Sequence, residues 1–121
     1  MARLPSAKRS PRIVNGIIYW YQGDTFSLTV RIDLKDQDGE PITIDDQTDD
    51  VDIVFRNCRE ETVKTFSFGA AAQTTITDNT ITMAFDSTVT ALFTRGKYRY
   101  DVYYNGEYRT TLADENVVVV E

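Results

Sequence analysis

The stretch Arg95–Leu112, RGKYRYDVYYNGEYRTTL, decides the fold reading because it has the form of a β-hairpin. Tyr98, Tyr100 and Val102 alternate with Lys97, Arg99 and Asp101, the period-2 pattern of a half-buried strand. Asn105-Gly106 supplies the turn. A two-residue type I′ loop would set Val102 opposite Arg109 and Tyr100 opposite Thr111, so the faces would not match. A three-residue loop, Tyr104-Asn105-Gly106 with Gly106 left-handed in a G1 bulge, moves the register by one. Val102 then meets Tyr108, Tyr100 meets Thr110 and Tyr98 meets Leu112. Asp101 lands across from Arg109, an opposite-charge pair worth about 0.2–1 kcal/mol. The sequence therefore predicts the bulged hairpin.

Working outward, the residues before this hairpin read as a series of short strands. Ile13–Tyr21 is predicted as the first, with Ile18 and Trp20 on one face, Tyr19 and Tyr21 on the other, and Gly16 at a bend or bulge. Phe26, Leu28, Val30, Ile32 and Leu34 then alternate without a break with Thr25, Ser27, Thr29, Arg31 and Asp33. Burying five such side chains would supply on the order of 10 kcal/mol of gross stabilisation. Asp36–Pro41 is a turn by its chemistry, with Gly39 at positive φ, and Ile42–Ile44 is predicted as a short strand. After the acidic loop DDQTDD (45–50) come strands at Val51–Asn57, Thr62–Phe68 and Thr80–Phe85, the last with Ile81, Met83 and Phe85 inward. Asp86 or Ser87 caps a helical turn through Phe93. Tyr98, just past that turn, is placed to tie the crossover to its strand as a tyrosine corner. The valine run 117–120 must be paired, because an open edge of that composition would aggregate. Strands at this spacing predict an all-β fold, an immunoglobulin-like antiparallel β-sandwich with one short helical turn.

The domain plan is a basic N-terminal arm, residues 1–12, followed by one sandwich domain, residues 13–121. The formal charge of −6 hides an asymmetry: Arg3, Lys8, Arg9 and Arg12 stand in the arm with no acid, leaving nine cations against nineteen acids, or −10, in the remainder. A basic arm on an acidic body reads as an interaction tail or as plain disorder. An acidic body argues against duplex nucleic acid, and no stretch has the length of a membrane span. The start of the chain lacks the apolar core of a signal peptide, so the sequence predicts synthesis that ends inside the cell.

Chemistry-bearing constellations are sparse. There is no histidine, which removes the commonest general base and every Ser-His or Cys-His pair. The lone Cys58 excludes an internal disulfide and reads as a bystander thiol. The carboxylates between Asp33 and Asp52 invite a calcium reading, but the EF-hand spacing fails, since Leu34 falls on the first ligand position when Gly39 takes the glycine position. Nothing marks a pair of carboxylates at glycosidase separation. No enzyme, cofactor or metal is expected. Among the aromatics Trp20 is assigned to the core, whereas Tyr103 and Tyr104 are candidate contacts for a partner, beside Arg3, Lys8, Arg9 and Arg12.

Gln22-Gly23-Asp24-Thr25, Asp38-Gly39-Glu40-Pro41-Ile42 and Gly96-Lys97-Tyr98-Arg99-Tyr100-Asp101-Val102, followed by a hairpin and a closing valine strand, carry a family likeness. Over Ile17–Val120 the chain resembles the N-terminal Ig-like domain of phage baseplate upper proteins. The resemblance implies a bacteriophage virion structural protein that docks to other capsid, tail or fibre subunits. Members of that family continue into a C-terminal stalk or adaptor, whereas this sequence stops at Glu121, which shifts the expectation to an accessory, decoration or fibre- or baseplate-anchoring module. Homo-oligomerisation is compatible with that role. The alternative is a cell-surface or secreted Ig-like adhesion or carbohydrate-binding module, which would need export.

Overall fold

A computed structural model describes residues 11–109 and 117–121. It contains nine strands, β1 (Arg12–Val14), β2 (Ile17–Trp20), β3 (Phe26–Arg31), β4 (Asp50–Arg56), β5 (Thr62–Gly69), β6 (Thr80–Phe85), β7 (Gly96–Tyr104), β8 (Glu107–Arg109) and β9 (Val117–Val120), and one short helix, α1 (Ser87–Thr90). The larger sheet has the order β1-β2-β9-β7-β4-β5, with β8 pairing the far half of β7, and the smaller sheet is β3-β6. The all-β expectation holds. The sheet is mixed rather than purely antiparallel, because β2 runs parallel to β9 with Ile18 opposite Val118 and Trp20 opposite Val120. That placement covers the valine strand on both edges, since β7 pairs its other side, Tyr98 opposite Val118.

Turn chemistry explains where the strand boundaries differ from the reading above. Asn15-Gly16, at φ 52° and 81°, reverses the chain between Val14 and Ile17, so the single first strand expected over Ile13–Tyr21 is a hairpin of two. Asn105-Gly106, at φ 51° and 84°, does the same between Tyr104 and Glu107. Positive φ at both central residues is the type I′ requirement, and Asn-Gly meets it at least cost. The bulged register is therefore replaced by the two-residue one, in which Val102 stands opposite Arg109 and Tyr103 opposite Tyr108. Face matching did not have to extend past Arg109, because β9 takes over that edge of β7 from Arg99 downward. The expected partners Thr110 and Leu112 lie outside the described residues.

Asp101 accordingly does not face Arg109; it accepts from Arg56 Nε at 3.1 Å across the β4–β7 ladder. The short strand expected at Ile42–Ile44 is also absent. Its backbone is held by the side chain of buried Asn79, which accepts from Ile44 N–H at 2.9 Å and donates to the Ile42 carbonyl at 2.8 Å and the Ile32 carbonyl at 3.2 Å. A side-chain amide thus replaces a strand as ladder partner.

Alternation predicts the core correctly. Ile18, Trp20, Leu28, Ile32, Leu34, Ile81, Met83 and Phe85 are buried, with Phe26 and Val30 packed on them. Trp20, at 0% exposure, meets Phe26, Phe85 and Phe93 at centroid distances of 5.1, 5.0 and 5.4 Å. Tilted aromatic contacts of this kind add about 0.5–1.5 kcal/mol each to plain burial. Asp86 caps α1 by accepting from Val89 N–H at 3.0 Å. The Tyr98 hydroxyl donates to the Thr94 carbonyl at 2.7 Å, so the expected corner forms.

The registers give the body two ends. β2, β4, β6 and β9 run toward the end that holds Trp20, Glu121 and α1, called lower here; β1, β3, β5 and β7 run toward the upper end, which holds both Asn-Gly turns and the long β3–β4 connection.

Candidate functional site

Arg12 opens β1, and its side chain is already engaged. Nη2 donates to Glu121 Oε1 at 2.6 Å, and the guanidinium lies 4.9 Å from the Tyr19 ring centroid and 5.6 Å from that of Tyr21. The hydrogen bond to Glu121 raises the Arg12 pKa further above its ordinary value. Tyr19 and Tyr21 face outward because Ile18 and Trp20 face inward, so strand alternation builds the aromatic shelf on which Arg12 rests. Glu121 is itself fixed by backbone bonds, its N–H to the Trp20 carbonyl and its carbonyl to Gln22 N–H, each 2.8 Å. Arg12, at the head of β1, is thus tied to β2 and to Glu121. Arg3, Lys8 and Arg9 lie outside the described residues.

Tyr103 and Tyr104 take opposite faces of β7. Tyr103 is on the outer face, accepting from Arg56 Nη2 at 3.1 Å, and Tyr104 packs beside the core with its hydroxyl donating to Asp49 Oδ2 at 2.9 Å. The corrected register places Tyr104 within the strand rather than in the loop. Around Tyr103, Arg56 and Arg99 converge on Asp101, which is only 5% exposed although it points away from the core, and Arg99 also pairs with Glu60. Tyr103 first and Asp101 second raise the Arg56 pKa. These four charges and one hydroxyl form a mutually satisfied polar patch on the outer face.

At the upper end Asp49 is the centre of a second network. Burial alone would raise its pKa, but hydrogen bonds from Asp45 N–H, Asn105 and Tyr104 outweigh that and hold it below the usual carboxylate range. Asn105 Oδ1 also accepts from Asp50 N–H at 2.8 Å, so the type I′ turn is bolted to the acidic loop. Sequence reasoning missed both ties, of Asn79 and of Asn105. The available signal was asparagine at a positive-φ turn position, Asp78-Asn79 and Asn105-Gly106, where a short amide reaches back to neighbouring backbone.

Between the sheets an apolar cleft of about 320 Å³ is lined by Ile18, Val30, Ile32, Ile53, Met83 and Val102. Arg31 and Asp33 also line it, paired with each other at 3.7 Å, and Tyr100, whose pKa burial raises, lies inside. Such a lining suits a hydrocarbon side chain, not charge development in a reaction. Among the described residues no group of three or more acidic, histidine or cysteine side chains gathers as metal ligands, and Cys58 is exposed. No helix of the described residues is long and apolar enough to cross a membrane. The chain matches no protein-family model, no curated protein and no solved structure at a significant level.

Proposed function

We propose that this chain is a non-enzymatic bacteriophage virion structural module, an Ig-like sandwich held on neighbouring subunits partly through its basic leader Arg3, Lys8, Arg9 and Arg12. The Ig-like assignment is supported by strand order. A sheet β2-β9-β7-β4-β5 facing β3-β6, with a tyrosine corner where the α1 crossover enters β7, corresponds to the variable-type arrangement with the smaller sheet reduced to two strands. Two residues after the corner tyrosine, where many such domains place a disulfide cysteine, this chain has Tyr100, its ring 5.6 Å from that of Phe55.

The observation that carries the docking role is the anchored root of the arm. Arg12 is fixed on Tyr19, Tyr21 and Glu121. Arg3, Lys8 and Arg9 are joined in sequence to that fixed residue, and a rigid origin lowers the ordering cost of attaching a charged tail. The body they leave carries a strong negative balance, so the arm's preferred neighbour is acidic.

Removing residues 1–10 while keeping Arg12 tests this. Urea unfolding of the body should be unchanged, and incorporation into particles should fall, by most at low salt, where the arm's charges are least screened. Incorporation equal to that of the full chain would overturn the proposal.

A further inference from the structure

The chain makes the Asn-Gly turn twice, and the two turns differ in what holds the asparagine. Asn15-Gly16 sits at φ 52° and 81°, Asn105-Gly106 at φ 51° and 84°, and each closes a hairpin with three ladder pairs among the described residues. Both turns are exposed. Asn105 is tied three times to the acidic loop: its N–H donates to the Asp50 carbonyl at 2.8 Å, its Oδ1 accepts from Asp50 N–H at 2.8 Å, and its Nδ2 donates to Asp49 Oδ1 at 3.2 Å. The Asn15 carboxamide has no hydrogen-bond partner among the described residues. Its hairpin is also the outermost piece of the larger sheet, β1 pairing β2 alone, and Ile13 (58%) and Val14 (46%) beside the turn bury little that would hold it shut. The seat of Arg12 lies at the far end of β1 from this turn.

We propose that Asn15 is a self-modification site, at which the backbone amide of Gly16 converts the free carboxamide to aspartate and isoaspartate, while the same dipeptide at Asn105 is protected by its ties. The inference concerns the chemistry of the turn and stands apart from the attachment role. Gly16 N–H gives its proton to hydroxide and the nitrogen attacks Asn15 Cγ; the Cγ–Nδ2 bond breaks, and ammonia leaves with a proton taken from water. The product is a five-membered cyclic imide. Water opens that ring at either carbonyl, so the net change consumes one water and releases one ammonia, with nothing oxidised or reduced. The nucleophile is held next to its target by the chain itself, and glycine has no side chain to hinder the approach. The carboxamide must swing back over its own main chain. An untied one on an edge hairpin does so on local opening, whereas one held at both Oδ1 and Nδ2 does not. Isoaspartate lengthens the main chain by one methylene, so the two-residue loop no longer fits and β1 loses its register on β2. The seat of Arg12 on Tyr19, Tyr21 and Glu121 is lost with that register.

Peptide mapping by mass spectrometry of the purified full chain, kept folded in mildly alkaline buffer, tests this. Conversion at Asn15 should be at least about tenfold faster than at Asn105, whose two side-chain hydrogen bonds must first break. In concentrated urea the two rates should converge to within about threefold, because no fold then distinguishes them. Gly16→Pro removes the attacking N–H, so conversion at position 15 should stop whether or not the hairpin closes. Trypsin cleavage after Arg12 reads the consequence. It should be at least about tenfold faster in the isoaspartyl chain than in the parent, whereas Asn15→Asp, which keeps a turn-forming residue and the normal main-chain length, should be cut at the parent rate. Equal rates at the two turns of the folded chain, a difference that survives urea, or undiminished conversion in Gly16→Pro would overturn the site. Equal cleavage of the isoaspartyl and parent chains would overturn the release of Arg12.

Discussion

Replacing Asn79 with alanine should loosen the upper end of the sandwich more than any other single surface-neutral change. Its side chain is 8% exposed and makes three bonds, from Ile44 N–H and to the carbonyls of Ile32 and Ile42, at 2.8–3.2 Å. Alanine leaves all three backbone groups unmet, at about 1 kcal/mol each. Asn79 also sits at φ 54°, where a residue with Cβ and no local hydrogen bond loses about 1 kcal/mol more. The sum, about 4 kcal/mol, is a large part of the roughly 5–15 kcal/mol that holds a domain of this size together. With a urea slope of about 2 kcal/mol/M, the midpoint should fall by about 2 M.

Two companion substitutions separate the contributions. Asn79→Gly loses the same bonds without the left-handed penalty and should be about 1 kcal/mol more stable than the alanine variant. Asn79→Asp keeps an acceptor for Ile44 but turns a carboxylate oxygen toward two carbonyls, so it should be poor at neutral pH and recover in acid, where the protonated group again donates. Amide exchange at Ile44 should accelerate in all three. An alanine variant within about 0.3 M of the parent midpoint would show that water replaces the amide at no cost, and the explanation for the missing strand at 42–44 would be refuted.

Gly69→Ala should be destabilising by about 3 kcal/mol or more, since an added Cβ would lie 2.1 Å from the Asp49 carbonyl oxygen at φ +104°; a near-native urea midpoint would contradict this. Tyr98→Phe removes the bond to the Thr94 carbonyl and should cost about 1–2 kcal/mol, read as a Tm drop of about 4–8 °C. Asp49, with its folded pKa below the unfolded value near 3.9, contributes stability that is present above about pH 4 and lost as pH falls through the folded value. The stability gap between the parent and Asp49→Asn, measured by urea titration, should therefore close on acidification below about pH 4; a gap constant with pH would count against the network.

The strands whose one face is buried were legible because burial imposes a period of two on the sequence, as in 26–31 and 80–85, although the alternation continues to Leu34 and the strand stops at Arg31. Trp20 in the core was legible from the same alternation, and the Asp86 cap and the Tyr98 corner because each is a local bond between residues a few positions apart. The hairpin register was not. Judging it by face matching assumed that the strand after the turn continued to Leu112, but a distant strand, Val117–Val120, takes that edge of β7. Nothing within the hairpin could announce this competition. The first strand was misjudged more simply, because Asn15-Gly16 was weighed as a glycine bend and not as an asparagine-glycine pair. Of the candidate contacts, Arg12 was picked out by charge alone; its seat within the chain on Tyr19 and Tyr21 depends on the β1–β2 pairing that this turn creates.

The acidic upper end has a structural cause that precedes any use of its field. Between Arg31 and Asp50 the chain forms no regular strand, a long connection for a compact domain, and its backbone donors need acceptors. Aspartates supply them. Asp36 accepts from the amides of Asp38 and Glu40, Asp45 from Gln47, Asp46 from Ile76, Asp49 from Asp45, and Asp50 from Ala71. These oxygens are turned onto backbone amides, in their own turns for Asp36, Asp45 and Asp49 and on the 71–76 segment for Asp46 and Asp50, and so away from a common cation position. What remains is uncompensated charge at short range, a self-repulsion that a cationic neighbour relieves and that added salt also relieves. Asp38, Glu40 and Asp78 add to that field without serving as amide acceptors, so neutralising them should leave the body's stability the same or slightly higher while weakening its attraction for a cationic neighbour. Bonds inside the turns and attraction between molecules thus draw on different members of one acidic set, and that division lets one be changed while the other is kept.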